Sequence, residues 1–469
     1  MTIRIRTIAL IGLLVATPGL WADDLMDIYQ LALENDPVIR EAQANRDASL
    51  EARPSAWANL LPQVNASASW SDSSTSQLGS DLSQDPLTFA RAVSRNRTES
   101  NSNNSSFTFS IDQTLFDWGR FQSLKRADVQ VAQAQADYQA ALQNLMSRTV
   151  DRYFAVLSAQ DELQALDDNL KALERQLQQT QRRFEVGLIA ITDVQESQAA
   201  RDNAYASVIG QQRTLAAARE NLRELTGVYP DHLARPLDDL PLMPPSPQDP
   251  EAWVARANER NLTLESARLA AESSRRGMEV TRGGLYPTLS LRISTTQFDN
   301  NSPDTAVYNP FLDQNETFDF PSIGSSDTIS LQLNAPIWNG GRNYSNLRRD
   351  AAFHTAALER AVAAQRAAER QARDSYLGVI SEISRVQALR QALQSSRTAL
   401  EATQAGFEVG TRTTVDVLTS QQALTRAQTN YYSSRYSYIR QVVALKLAAG
   451  SLSLPDLTEI NGWLTEPGT

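Results

Sequence analysis

Few residues in this chain could carry acid–base, nucleophilic or metal chemistry. The sequence has no cysteine, and its only two histidines are His232 and His354, which excludes a thiolate nucleophile and a histidine-rich metal site. The abundant carboxylates form no Ser/His/Asp, metal-ligand or phosphate-loop motif. Acidic residues outnumber basic ones by 54 to 44, so nucleic acid is not an expected partner. We therefore expect no catalytic residue, no metal and no cofactor.

One charged motif nevertheless occurs twice, 223 residues apart. Residues 183–187 read Arg-Phe-Glu-Val-Gly and residues 406–410 read Gly-Phe-Glu-Val-Gly, and each copy is followed six residues later by Asp-Val. Glycine favours the end of a helix, and an acidic residue favours the first turn of the next one. Each copy therefore predicts a turn between two helices, at Gly187 and at Gly410.

The residues around each turn have a helical period. In the first half, apolar residues recur every three or four positions and form a heptad seam: Leu163, Leu166, Leu170, Leu173, Leu177 and Phe184. Thr180 takes one position of this seam, and Thr403 takes the equivalent position in the second half. The second half repeats this register. The helices before the two turns are expected to be about 65 residues long, or roughly 100 Å at ~1.5 Å per residue. Helices of this length cannot belong to one compact globule. The next helices should begin near Thr192 and Thr413, with capping-box spacing to Gln195 and Asp416.

The whole chain is organised as two repeats of the same elements. The first repeat is expected over residues 23–228, a Pro-rich connection over 229–250, the second repeat over 251–449, and a tail over 450–469. In each repeat a helix is followed by a strand, a loop, a second strand and a long helical hairpin. The fold class is therefore α+β.

The strands are recognised by alternation of apolar and polar residues. They are predicted near residues 63–71, 105–116, 288–294 and 328–338, separated by long polar loops over 71–104 and 295–327. This pattern is typical of outer-membrane barrel hairpins, although a soluble sandwich shows the same alternation. The residues expected to face lipid are Val64, Ala66, Ala68, Phe107, Phe109, Leu289, Leu291, Leu331 and Leu333.

Four strands cannot close a membrane barrel, because the smallest barrels have about eight strands and an open edge in lipid leaves backbone groups unpaired. The chain must then share a barrel with copies of itself. Two copies would supply eight strands and three would supply twelve, and the strand pattern does not choose between them.

The N-terminus has the features of a secretory signal peptide. Arg4 and Arg6 precede an apolar run over residues 8–16, and Leu20-Trp21-Ala22 precedes two acidic residues. The apolar run is shorter than the ~20 residues of a membrane-spanning helix, which makes an anchored helix the weaker interpretation. We expect residues 1–22 to be removed on export.

The motifs together resemble those of TolC-type outer-membrane efflux and secretion channels. The resemblance covers nearly the whole mature chain and rests on Tyr29-Gln30, Asn35-Asp36-Pro37, residues 187–195 and residues 409–418. It implies a homotrimer in which twelve strands form one outer-membrane β-barrel, continued by a coiled-coil tunnel of twelve helices across the periplasm. It also implies a periplasmic adaptor protein and an inner-membrane ABC or proton-driven transporter as partners. The lack of an N-terminal cysteine for acylation favours the branch that serves type I secretion as well as drug efflux.

The resemblance also implies roles for residues at the helix tips. Thr192 and Asp193 of one hairpin would link with Arg412 of the other to close the tunnel, and Gly187 and Gly410 would lie in the region that the adaptor contacts. The family's tyrosine in this network corresponds to Phe407, which has no hydroxyl, so that link should be missing.

A ring of carboxylates is implied at the constriction. Asp416 matches the first of two acidic positions in the family, whereas Thr419 replaces the second, so a trimer would carry one ring of acids. Capping is the alternative explanation for Thr192, Asp193 and Asp416, since Thr and Asp stabilise any helix start. A soluble periplasmic coiled-coil scaffold or adhesin is the alternative to a channel, but it would make the strands coincidental.

Overall fold

Two helices of nearly equal length dominate the secondary structure: α4 (Trp118–Glu185) has 68 residues and α8 (Arg342–Glu408) has 67. The computed structural model describes residues 24–84, 89, 91–230, 232–237, 240–301, 305–309, 314–318 and 321–465. The expected signal peptide lies outside the described residues. The shorter helices are α1 (Leu25–Asn35), α2 (Pro37–Leu50), α3 (Ala52–Ala58), α5 (Ile191–Thr226), α6 (Pro250–Arg260), α7 (Leu262–Arg282), α9 (Thr414–Ala448) and α10 (Leu454–Asn461). The strands are β1 (Gln63–Gln84), β2 (Arg91–Phe116), β3 (Arg235–Pro236), β4 (Thr288–Asn301), β5 (Thr305–Asn309), β6 (Gln314–Phe318), β7 (Ser322–Asn334) and β8 (Leu464–Thr465).

The long helices confirm the prediction from the heptad pattern. Each is followed by a second helix after a short turn, α5 after α4 and α9 after α8, so that two helical hairpins are formed. The α+β fold class is also confirmed. Among the described residues, no helix combines the length and the apolar composition needed to cross a membrane.

The chain divides into two compact units. The first comprises the described residues up to Asp47, Gln133–Arg268 and those from Arg360 onwards, and it holds both hairpin turns. The second comprises Ala48–Ala132 and Leu269–Glu359, and it holds a four-stranded sheet.

The core of the first unit brings both repeats together. Tyr153 and Phe154 of α4 are fully buried, and the Phe154 ring lies 5.8 Å from the ring of Tyr436 on α9. Leu222 of α5 is buried in the same cluster. The hydroxyl of Tyr153 donates to the carbonyl of Ala234 at 2.8 Å, which fixes the connection between the repeats to this core.

The second unit contains an antiparallel sheet with the strand order β1-β2-β4-β7. Strands β1 and β7 are its two edges, and neither has a further partner strand among the described residues. A short ladder joins β5 to β6 in this unit, and another joins β3 to β8 in the first unit.

The strands are longer than the alternation predicts, so the expectation of loops over 71–104 and 295–327 is wrong for the described residues of these ranges. Strand β1 continues to Gln84 and pairs with β2 as far as Arg91. The ladder is made by backbone groups and therefore needs no apolar pattern. Hydroxyl pairs across the strands take the place of apolar packing in this part, as between Ser73 and Ser102 at 2.6 Å.

The register separates an apolar face from a polar face. Ala66 pairs with Phe109, Ala68 with Phe107, Leu291 with Leu331 and Leu289 with Leu333, so that all nine residues expected to face lipid lie on one face. The other face carries the hydroxyl pairs and an ion pair of 3.1 Å between Arg292 and Asp112. The sheet thus has one exposed apolar face and one polar face.

Candidate gate at the hairpin tips

The first hairpin turns at Gly187. This glycine has φ = +76°, a conformation that costs an L side chain roughly 1–2 kcal/mol. Its N–H donates to the carbonyl of Phe184 at 2.8 Å, and the N–H of Leu188 donates to the carbonyl of Arg183 at 2.9 Å. These two bonds form a Schellman motif, which ends α4 and reverses the chain.

The second hairpin turns in the same way at Gly410. Here φ is +78°, the N–H of Gly410 donates to the carbonyl of Phe407 at 3.2 Å, and the N–H of Thr411 donates to the carbonyl of Gly406 at 2.8 Å. A Cβ added to Gly410 would meet no atom within 4 Å, so backbone conformation and not crowding requires the glycine. The duplicated motif therefore encodes one turn geometry twice.

The second turn leads into α9 through a complete capping box. Thr413 is the N-cap, and its hydroxyl accepts the N–H of Asp416 at 3.2 Å. The Asp416 carboxylate in turn accepts the N–H and the hydroxyl of Thr413, both at 2.9 Å. The backbone hydrogen bond, then the hydroxyl and the nearby charge of Arg412 hold the pKa of Asp416 below its ordinary value. The structure thus gives Asp416 a capping role.

The first turn leads into α5 differently: the helix begins within one residue of the predicted start near Thr192, but the predicted capping box from Thr192 to Gln195 is wrong. Helix α5 begins at Ile191 with Ala190 as its N-cap. Alanine has no side-chain acceptor, so only half of a box forms: the N–H of Ala190 donates to the Asp193 carboxylate at 3.3 Å. Thr192 is exposed in the first turn of the helix and does not cap it, although threonine is a common N-cap residue.

Hydroxyl pairs join the two helices of each hairpin just behind the tips. Ser197 bonds to Thr180 at 3.4 Å in the first hairpin, and Ser420 bonds to Thr403 at 3.2 Å at the equivalent positions of the second. Each threonine also donates to a carbonyl one turn back in its own helix. These pairs explain why threonine interrupts the heptad seam at the same place in both repeats.

Phe407 lies at the end of α8 in a small apolar cluster with Leu400 and Val417. Only 7% of its surface is exposed. The guanidinium carbon of Arg183, from the tip of the other hairpin, lies 4.6 Å from the centre of the Phe407 ring. Sequence reasoning missed Arg183, although the replacement of this arginine by Gly406 in the second repeat was visible.

Arg412 is exposed, and its side chain passes over Gly406. A Cβ at Gly406 would lie 2.8 Å from Cγ of Arg412, so only glycine permits this path. Within the described chain, Arg412 makes no hydrogen bond or ion pair with Thr192 or Asp193. The structure therefore places all three residues at the tips but does not join them within one chain.

The tips also expose apolar side chains. Val186, Leu188 and Val409 flank the two turn glycines and are largely open to solvent. In the part of the chain that the structure describes, no group of three or more His, Asp or Glu side chains could hold a metal ion. The tips thus carry polar side chains and present apolar contacts.

Comparison with known proteins gives these observations a context. A model of the outer membrane efflux protein family matches residues 28–228 and 253–451. The chain belongs to this family. It is 34% identical over 449 residues to the outer membrane protein TolC of Vibrio cholerae, with 95% of each chain covered. It is 28% identical over 468 residues to the alkaline protease secretion protein AprF of Pseudomonas aeruginosa, covering 97% of this chain and 91% of that one.

Solved structures agree with this assignment at the level of the fold. The Campylobacter jejuni outer membrane channel CmeC has a TM-score of 0.71 and 16% identity, over 94% of this chain and 89% of that chain. Membership of the outer membrane efflux protein family confirms that the chain is not an enzyme. It also favours an outer-membrane protein over a soluble scaffold or adhesin.

Proposed function

We propose that the chain forms a trimeric outer-membrane exit duct that exports proteins, small toxic compounds or both from the periplasmic side to the exterior. The observation that carries this proposal is the four-stranded sheet, in a chain of the efflux family, whose two edges have no partner strand among the described residues and whose apolar face is exposed. Unpaired edges cannot persist in lipid, so neighbouring copies must cover them.

Three copies would close one barrel of twelve strands in the outer membrane, and their helical hairpins would line a tunnel in the periplasm. A barrel of this size leaves an open lumen, whereas eight strands leave an interior filled by side chains. The mass of the detergent-solubilised protein, corrected for bound detergent, should equal three chains. A monomer or dimer mass would contradict the proposal.

The apolar face of the sheet would contact lipid, and the face with the hydroxyl pairs would line the lumen. Adjacent residues on β7 provide a matched test, because Leu331 and Ser330 lie on opposite faces. The chain has no native cysteine, so single variants Leu331→Cys and Ser330→Cys can be labelled without background. Leu331→Cys should react with membrane-soluble thiol reagents and Ser330→Cys with aqueous ones. The reverse result would mean that the faces are exchanged.

The hairpin tips would close the periplasmic end of the duct. Since Arg412 does not meet Thr192 or Asp193 within one chain, its link to them would cross to a neighbouring chain. A guanidinium can bond a carboxylate and a hydroxyl through a charge-assisted fork. Replacing Arg412 by Ala should therefore raise single-channel conductance in planar bilayers, whereas Arg182→Ala, an exposed arginine of the first tip, should not. Parental conductance in Arg412→Ala would reject the link.

Asp416 would form a ring of three carboxylates near the constriction and favour cations over anions. The charge remains available beside the capping role, because a capping carboxylate stays ionised. Asp416→Asn keeps an acceptor for the cap and removes the charge, so cation preference and block by multivalent cations should both fall. Thr419→Asp should add the missing second acid and strengthen block. Unchanged selectivity in Asp416→Asn would place the selective charges elsewhere.

The partners would be a periplasmic adaptor protein and an inner-membrane ABC or proton-driven transporter. The adaptor would dock on the tips around Gly187 and Gly410, where Val186, Leu188 and Val409 offer exposed apolar contacts. The similarity to AprF, named as a protease secretion protein, supports type I secretion beside efflux. Val409→Asp should abolish recovery of the adaptor after cross-linking in cells while leaving the assembled trimer intact.

A further inference from the structure

A single cation–ring contact joins the two hairpin tips of this chain. The guanidinium of Arg183 lies over the Phe407 ring at 4.6 Å. An aromatic face attracts a cation placed within about 6 Å of its centre, and more strongly where solvent is excluded. Phe407 is almost fully buried, so this contact is partly shielded from water.

The contact is not a by-product of the repeated coiled coil. Phe184 and Phe407 occupy equivalent positions in the two repeats, but Phe184 is 40% exposed and Phe407 only 7%. The position before each phenylalanine is Arg183 in the first repeat and Gly406 in the second. Arg183 of the first hairpin can therefore lie over the Phe407 ring of the second, whereas Gly406 has no side chain that could lie over Phe184.

Arg183 has no competing ionic partner in the part of the chain that the structure describes, since no carboxylate there lies within ion-pair distance. The two hairpins are joined again farther from the turns, where the amide of Gln421 on α9 donates to Asn169 on α4 at 3.1 Å. The contact of Arg183 with Phe407 lies closer to the turns than this hydrogen bond does.

We propose that Arg183 and Phe407 act as an intrachain latch, a pair of positioning residues that holds the two tips of each chain together in the closed duct. The latch takes the place of the hydroxyl link that Phe407 cannot make. The inference rests on the proposed gate, because separation of the tips is the opening movement that would break the contact.

The test is a double-mutant cycle on channel opening in planar bilayers, with Arg183→Gln, Phe407→Leu and the double variant. Each single change should raise the open probability by about two- to five-fold per chain, or about ten- to a hundred-fold if three chains open together. The double variant should open little more than either single one, because both remove the same contact. Phe407→Leu also loses packing contacts of the ring, but this loss occurs both with and without Arg183 and therefore cancels when the coupling between the two residues is calculated.

Matched controls lie beside each residue. Arg182→Gln removes an adjacent arginine, and Phe184→Leu removes the equivalent ring of the first repeat, and both should open like the parent. Arg183→Lys keeps a cation above the ring and should restore most of the closure.

The result separates the latch from the gate on which it rests. If Arg412→Ala opens the channel and Arg183→Gln behaves like Arg182→Gln, or if the two changes of the cycle are additive, the latch is rejected and the gate stands. If Arg183→Gln opens the channel and Arg412→Ala does not, the latch stands and the Arg412 link is rejected. If neither opens it, both are rejected.

Discussion

Substitution of Gly406 by alanine would displace Arg412 while leaving every charge in place. A Cβ at residue 406 would lie 2.8 Å from Arg412 Cγ, which is closer than protein side chains tolerate, and 3.2 Å from Thr411 Oγ1, which is a tight contact. The Arg412 side chain must therefore leave its path over the helix end. Gly406→Ala thus tests whether the position of the guanidinium matters, and not only its presence.

The expected magnitudes separate stability from gating. Alanine is favoured over glycine in a helix by up to about 1 kcal/mol, and forcing a side chain away from its preferred rotamer costs about 0.5–1.5 kcal/mol. These terms nearly cancel, so the free energy of unfolding should change by less than about 1 kcal/mol. The proposed charged hydrogen bond from Arg412 to a neighbouring chain would contribute about 1.5–3 kcal/mol to the closed state, and the substitution adds no term that offsets its loss.

Gly406→Ala should therefore unfold near the parental temperature and conduct like Arg412→Ala. Thermal unfolding in detergent and single-channel recording measure the two effects. Gly210→Ala is the matched control, because a Cβ at this position in α5 meets nothing within 4 Å. It should raise stability slightly and leave conductance unchanged. If Gly406→Ala kept the parental conductance while Arg412→Ala opened the channel, the position of the guanidinium would not control the gate.

Three further changes probe the turns. Thr413→Ala removes the N-cap of α9 and should lower the free energy of unfolding by about 1 kcal/mol. Thr192→Ala should change the free energy of unfolding by less than about 0.5 kcal/mol, because Ala190 is the cap of α5. Altered conductance in Thr192→Ala would then report gating. Equal losses of stability in Thr413→Ala and Thr192→Ala would refute the assignment of caps. Gly410→Ala should cost roughly 1–2 kcal/mol through its positive φ, and an unchanged unfolding midpoint would contradict this. Folding lowers the pKa of Asp416, so its charge and its capping contribution are present above the ordinary carboxyl pKa and are lost only as the pH falls through the lowered value. Reversal potentials should therefore show cation preference down to that lower pH. Loss of the preference near the ordinary carboxyl pKa would contradict this assignment to Asp416.

The sequence predicts the helices of this fold better than the extent of its strands. A heptad seam appears in the sequence because each helix buries one stripe along its whole length, and α4 and α8 follow it closely. Strand β1 continues beyond residue 71 through Ser, Asp, Thr and Gln on both faces, where no alternation marks its path. Backbone pairing with β2 holds this part, and backbone bonds leave no pattern in side-chain types.

At the candidate site, features set by residues close together in the sequence could likewise be predicted, whereas features set by residues far apart could not. Gly187, Gly410 and the Thr413 cap depend on residues within one turn of each other, and all three could be recognised in the sequence. The N-cap of α5 could not, because Ala190 has no capping group of its own and only Asp193 marks it. The contact of Arg183 with Phe407 joins residues from different repeats, and no local rule links them.

The duplicated hairpin places similar groups at two tips, so the differences between the copies indicate how the tips are joined. Arg183 precedes the first turn and has Gly406 as its counterpart, whereas Arg412 follows the second turn and has Ile189 as its counterpart. Of these two arginines, one therefore lies before the first turn and the other after the second turn. In a ring of six hairpins, Arg183 would act at the junctions within chains and Arg412 at those between chains. Loss of either arginine would then free only every second junction, so the double variant Arg183→Gln with Arg412→Ala should open the duct further than either change alone.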